Sequence, residues 1–138
     1  TMARIRHIAI ATQDVEGTKR FYIEGLGLKE VGQTNSGLAD GVYLSDGHVN
    51  IAILNFKDDN VATTEGAPRH TGIHHLGFGV DDMEQAQQQI IAAGATAHLV
   101  EEVASANQRR SSNVEVKFTG PDGVTVDLSE AGWMGTAD

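Results

Sequence analysis

Three side chains have the types and the placement to hold a metal ion: His7, His75 and Asp127. Two imidazoles and one carboxylate bind a divalent first-row metal and leave coordination positions open for a substrate. Taken singly, a histidine on a strand is ordinarily a hydrogen-bonded core or edge residue, and an aspartate near a strand end ordinarily caps a turn. A repeat sets these three apart. His7 and His75 are 68 residues apart, and so are Asp14 and Asp82, Val15 and Met83, and Glu16 and Glu84. Later, residues 45–54 (SDGHVNIAIL) are echoed by residues 121–129 (PDGVTVDLS). There Asp46-Gly47 matches Asp122-Gly123 and, with one residue of slip, Ala52 falls opposite Asp127. Internal duplication is the first architectural signal to weigh, and two copies of about 65 residues nearly fill this chain.

Strands and helices must carry those groups to one place. Residues 5–12 alternate and read as a strand. Asp14 is a suitable N-cap for a helix running to about residue 24, with Val15, Phe21 and Tyr22 facing inward. Gly25 and Gly27 end that helix. Residues 28–33, 41–44 and 49–54 are three further strands, with turns at 35–40 and 45–47, so the first copy reads β-α-β-β-β. Residues 57–72 form a polar connector containing Gly and Pro. In the second copy, 72–80 is a strand and Asp82 begins a helix, with Gln85 as its capping-box partner. Met83, Ala86, Ile90 and Ala93 form the apolar stripe of that helix, and Gly94 stops it. Residues 97–103, 114–119 and 124–129 complete the second set of strands, and 104–113 form a loop carrying Arg109 and Arg110. The expected organisation is a single α+β domain over 1–138. It comprises a first module at 4–56, a connector at 57–72, a second module at 73–130 and a tail at 131–138 anchored by Trp133.

Splitting the strands by face brings out the chemistry, because side chains alternate across a sheet. Ile8 and Ile10 oppose His7, Ala9 and Ala11. Leu76, Phe78 and Val80, with His74 at the edge, oppose His75, Gly77 and Gly79. The last strand of each copy sets Val49, Ile51 and Ile53 against His48, Asn50 and Ala52, and Val124, Val126 and Leu128 against Thr125, Asp127 and Ser129. One face is bulky and apolar, suited to lie under a helix. The other is small or polar, which an ordinary core would not tolerate, so the sheet is expected to curve around a cavity. His7, His75 and Asp127 point into it. His74 has the wrong parity and reads as structural, and His70 and His98 read as solvated loop residues. His48 has the right parity but sits at a turn, making it a candidate acid/base group rather than a ligand.

Composition limits the alternatives. The chain has 138 residues, 40% of them hydrophobic, enough for a sizeable core, and a net charge of −9. With no long basic run, a nucleic-acid or anionic-membrane surface is not expected. The absence of cysteine excludes disulfides and thiolate ligands and agrees with a reducing cytoplasm, the expected location. Nothing at the N-terminus reads as a signal peptide, and no apolar run reaches the roughly 20 residues that span a bilayer.

The chain resembles the vicinal-oxygen-chelate superfamily, which takes in glyoxalase I, methylmalonyl-CoA epimerase, extradiol dioxygenases and bleomycin-resistance proteins. The residues carrying the resemblance are HIAIATQDVEGTKRFYIEGLGL from His7, HLGFGVDD from His75 and PDGVTVDL from Pro121, in the family's order and covering residues 4 to 130. The resemblance implies paired βαβββ modules forming an open, cupped, eight-stranded mixed sheet around a metal that chelates two adjacent substrate oxygens. It also implies ligands at His7, Ala52, His75 and Asp127. Two of these depart from the pattern. Ala52 stands where glyoxalase-like and epimerase-like members carry Glu or Gln, and Asp127 stands where Glu is usual. Three ligands with open positions is the arrangement of the family's ring-cleaving dioxygenases, where Fe(II) binds a catecholate and dioxygen together.

Three functions follow as expectations. The first is a metal-dependent enzyme, leaning to dioxygenase chemistry, acting on a small substrate with vicinal oxygens. Its ion would be Fe2+ or Mn2+ before Ni2+, Co2+ or Zn2+, with His48 or Tyr43 as acid/base. The second is a lyase or epimerase of the glyoxalase I kind, and the third a metal-free binding or resistance protein. Arg109 and Arg110 could clamp a substrate carboxylate, while Asn50, Thr125 and Ser129 could orient a ligand. Phe21 and Tyr22 read as helix-to-sheet packing. Exposed sheet edges invite a second copy, so a homodimer is expected.

Overall fold

The computed structural model describes residues 2–58, 71–97 and 115–136. Its elements are β1 (Arg4–Ala11), α1 (Val15–Leu26), β2 (Lys29–Asn35), β3 (Ala39–Ser45), β4 (Asn50–Phe56), β5 (Gly72–Gly79), α2 (Met83–Ala92), β6 (Thr96–Ala97), β7 (Glu115–Thr119) and β8 (Thr125–Ser129). All eight strands join one mixed sheet in the order β2-β3-β4-β1-β5-β8-β7-β6. The expected paired βαβββ sheet is therefore the observed one. Of the strand expected at 97–103, only Ala97 lies in the described residues, as the second residue of β6. The rest of it, the loop holding Arg109 and Arg110, most of the connector, His70 and His98 lie outside the described residues.

Local chemistry explains where the helices start and stop. An Asp14 carboxylate oxygen accepts a hydrogen bond from the Gly17 N–H at 2.9 Å, and Asp82 accepts one from the Gln85 N–H at 3.1 Å. Each satisfies one of the donors that a helix start leaves unpaired. Gly27 closes α1 at φ 75, a left-handed conformation that costs glycine little. Val15, Tyr22 and Ile23 pack over Val42, Leu44 and Ile53; Met83, Ala86 and Ile90 pack over Val80, Phe118 and Leu128. Two expectations need correcting. Phe21 is 64% exposed, because at about 100° per residue it lies well off the line joining Val15 and Tyr22. Ala93 is the exposed C-cap of α2, and Ala95 takes its place against the core.

The register builds the site. Parallel pairing of β1 with β4 sets His7 beside Asn50 and Ala9 beside Ala52. Parallel pairing of β5 with β8 sets Gly77 beside Asp127. Antiparallel pairing of β1 with β5 joins the two halves, Ala9 facing His75. Between Ala9 and Ile10 the register slips, with Ile10 facing Ile73, so His74 is an extra residue in a bulge. The parity reading of His74 fails there. His74 and its neighbour His75 are both buried, at 5% and 4% exposure, and His74 packs against Phe56 with ring centroids 4.6 Å apart.

Candidate metal centre

His7 comes from β1, His75 from β5 and Asp127 from β8, all buried, with one ligand atom of each within 4.8 Å of the others. The two Nε2 atoms are 3.2 Å apart, and His75 Nε2 lies 3.3 Å from Asp127 Oδ2. They sit beside a cavity of about 240 Å³ whose walls include His7, His75, Tyr43, Asn50, Ala52 and Glu115. Apolar walls come from Leu38, Ala39, Leu54, Phe56 and Met134.

The His7 ring is fixed on both sides. Its Nδ1 is 2.8 Å from Asn50 Oδ1, and the Asn50 amide group donates from Nδ2 to the Met134 carbonyl at 2.8 Å. With Oδ1 only an acceptor, His7 Nδ1 is the protonated nitrogen, and the Nε2 lone pair is turned toward His75 and Asp127. Trp133 stacks on the ring at 4.8 Å with an interplanar angle of 1°. Burial lowers the His7 pKa from 6.5 to about 4, while the Glu115 charge and the Asn50 hydrogen bond pull the other way. The ring is therefore neutral near pH 7, as ligation requires. A hydrogen-bonded Nδ1 behind an Nε2 turned toward the other donors is the outer support that metal-binding histidines use. Three convergent donors with such support fit a divalent ion.

Asp127 has a further neighbour. Lys117 on β7 pairs in register with it, and Nζ donates to Oδ2 at 2.8 Å. Lys117 also lies 3.7 Å from a carboxylate oxygen of Glu115. Burial pushes the Glu115 carboxyl up, opposed by the Lys117 ammonium and reinforced by the nearby negative charge of Asp127. Lys117 and Glu115 were missed in reading the sequence. Their signal was there: in EVKFT the charged residues alternate with Val116 and Phe118, which pack under α2.

The other expected site residues separate. Tyr43, half-buried, lines the cavity and pairs in register with Ala52. Asn50 is buried and held by His7 and Met134. His48 is exposed in the turn between β3 and β4, where its N–H donates to Asp46 at 2.8 Å, and it does not line the cavity. The strand begins only at Asn50, so alternation does not extend to His48. Thr125 is buried opposite Thr119 and does not line the cavity either. Arg109 and Arg110 fall outside the described residues.

A family model for the Glyoxalase/Bleomycin resistance protein/Dioxygenase superfamily matches residues 4–128. The chain belongs to that superfamily. It is 32% identical to the uncharacterized protein YwkD of Bacillus subtilis over 94 residues, 65% of this chain and 71% of that one. Among solved structures, it is similar to a Streptomyces coelicolor methylmalonyl-CoA epimerase variant in complex with 2-nitronate-propionyl-CoA. That likeness has a TM-score of 0.68 and 21% identity, covering 94% of this chain and 97% of the other. A 4-hydroxymandelate synthase variant from the same organism gives a TM-score of 0.70 and 20% identity, covering 94% of this chain and 37% of the other. At these identities the structural likenesses show the fold. Among the described residues, no helix is long and apolar enough to cross a membrane.

Proposed function

We propose that this superfamily member is a metal-dependent enzyme acting on a small substrate with two adjacent oxygens, with oxygenase-type chemistry at His7, His75 and Asp127. One observation carries the reading. Ala52 occupies, relative to Ala9, the place that Asp127 occupies relative to Gly77, so the fourth ligand position holds a methyl group beside open cavity. Three donors with space in place of the fourth leave room for a chelating substrate and a second small molecule. An Fe2+ or Mn2+ ion there would supply Lewis acidity and, with oxygen, redox chemistry. The chain's own residues bind and orient: Asn50 holds His7 at Nδ1, the apolar walls exclude water, and the Tyr43 hydroxyl or the Glu115 carboxyl holds the mobile proton.

Proton transfer of the lyase or epimerase kind is the second reading. A carboxyl on the cavity wall, pushed toward its protonated form, supports it. Elemental analysis of freshly purified protein, followed by oxygen uptake with a panel of catechols, tests the first reading. Turnover of a hemithioacetal or a 2-methyl-branched acyl thioester without oxygen uptake would establish the second. His7→Ala and His75→Ala should each abolish metal retention; parental metal content in both would sink the metal reading at these residues, whereas stoichiometric binding of a small molecule by metal-free parent protein would favour a metal-free binding protein. We also propose a homodimer, on the support of β2, an edge strand among the described residues, and a cytoplasmic location, on the support of a chain without cysteine; light scattering on the purified protein tests the dimer.

A further inference from the structure

The charged pair on β7 and β8 is at odds with simple ligation. Lys117 Nζ lies 2.8 Å from Asp127 Oδ2, the same oxygen that is 3.3 Å from His75 Nε2. This is the carboxylate oxygen turned toward the imidazoles, and an ammonium already caps it. Both side chains are out of solvent, at 1% and 0% exposure, so little water weakens the attraction. Nor does the fold require an ion pair at this place. The equivalent cross-strand pair of the first half is Tyr43 with Ala52, which carries no charge.

An ion entering between His7, His75 and Asp127 meets a carboxylate whose charge is already balanced. The competing cation is tethered to the neighbouring strand, so its effective concentration is high and dilution cannot lower it. Two cations sharing one carboxylate oxygen also repel each other at short range. Glu115, with a carboxyl oxygen 3.7 Å from the same ammonium, gives Lys117 a second carboxyl neighbour, so engagement of Asp127 elsewhere would not leave the ammonium without a polar neighbour.

We propose that Lys117 is a resident cation that competes with the metal for Asp127 and thereby sets a weak, exchangeable metal affinity. The proposal rests on the His7/His75/Asp127 reading above. It makes Lys117 a residue that tunes affinity, acting through Asp127 rather than on substrate.

Titration calorimetry with Mn2+ and with Zn2+ on chelator-stripped protein tests it. Lys117→Met should bind both ions about tenfold or more tightly than the parent, since a full positive charge leaves the site. Its thermal midpoint should be lower than the parent's without metal and should rise further on adding it. Should that variant fail to fold, the double variant Lys117→Met/Glu115→Gln removes both ionisable groups and should show the same gain. Lys117→Arg keeps the charge and should bind like the parent. Unchanged or weaker binding in the Met variants, with the parent binding normally, overturns the proposal and leaves the metal reading standing. Equal tightening in Lys117→Arg also overturns it, because charge would not be the cause. If neither parent nor variants bind either ion, both readings fall.

Discussion

Asn50 shows how much a single side chain carries at the candidate metal centre. Its amide oxygen fixes the His7 tautomer and its amide group ties that ring to the Met134 carbonyl. Asn50→Leu removes both, leaving a buried ring N–H and a carbonyl without their partner. Such losses cost about 1–3 kcal/mol of stability, and support of this kind is worth about 10–100-fold in metal affinity. Denaturant unfolding and calorimetry measure the two, and parental affinity in Asn50→Leu would show that His7 is not oriented through Nδ1. His7 also sets a pH dependence in the metal-free protein. Its folded pKa is about 4 against an ordinary 6.5, so between those values the unfolded chain binds a proton that the folded one does not. Stability is then fully present above about pH 6.5 and is lost as pH falls toward 4, by about 2 kcal/mol between pH 7 and 5. Glu115 works the other way, since a carboxyl held above its usual 4.5 loses stability as pH rises past that value. Unfolding at pH 7 and 5 should therefore show a loss in the parent that shrinks in His7→Gln; equal losses would remove His7 as the cause.

At the scale of elements, the site depends on a segment without regular structure. Residues 131–136 fold back over the sheet, held by Ser45 Oγ donating to the Gly135 carbonyl at 2.7 Å and by Asn50 on Met134. That brings Trp133 flat onto His7. Gly77 makes the room: a Cβ there would lie 2.7 Å from His7 Cβ and 2.8 Å from the Trp133 ring. Gly77→Ala must push one of them aside, which should cost about 1–3 kcal/mol. Because Trp133 is the single tryptophan, its fluorescence reports the displacement directly. An unchanged emission maximum with parental stability would show that the stack yields freely. What the sequence disclosed at this scale follows from periodicity. The first and last strands of each copy, the Asp14 and Asp82 caps and the vacated face were legible because alternation and the 68-residue repeat mark them. The face of His74 was misread because one bulge reverses parity and no local residue pattern marks that bulge, although its structural reading agrees with a ring packed on Phe56. Trp133 on His7 was invisible for another reason: the contact joins residues far apart in sequence through an irregular segment, with no period to reveal it. Phe21 was misplaced by assuming that every aromatic on a helix faces the sheet.

The molecule as a whole is a duplication whose halves have diverged at the centre. Both first strands contribute a histidine, and β1 lies against β5 so that the two rings meet. Around them symmetry fails in detail. His7 is supported by Asn50 from the neighbouring strand, whereas His75 Nδ1 is 2.8 Å from Nδ1 of His74, which the bulge turns inward. The second half presents Lys117, Asp127 and Glu115, and the first presents Tyr43 and Ala52. One side of the centre is charged and filled; the other is neutral and open, and the cavity lies on that side. Such lopsidedness is what the proposed function calls for: substrate entry from one direction and an ion held from the other. Ala52→Glu tests it at the scale of the whole fold by restoring the missing partner of Asp127. The residue is 1% exposed but faces the cavity, so a longer side chain has space on that side. Metal binding should tighten, since a fourth donor adds a charge without a competing lysine opposite it. Oxygen uptake with a catechol substrate should disappear, because the added carboxylate occupies the position left open for chelation. If uptake persists at the parental rate while metal affinity rises, the substrate enters elsewhere, and the open first half is not the working face of the site.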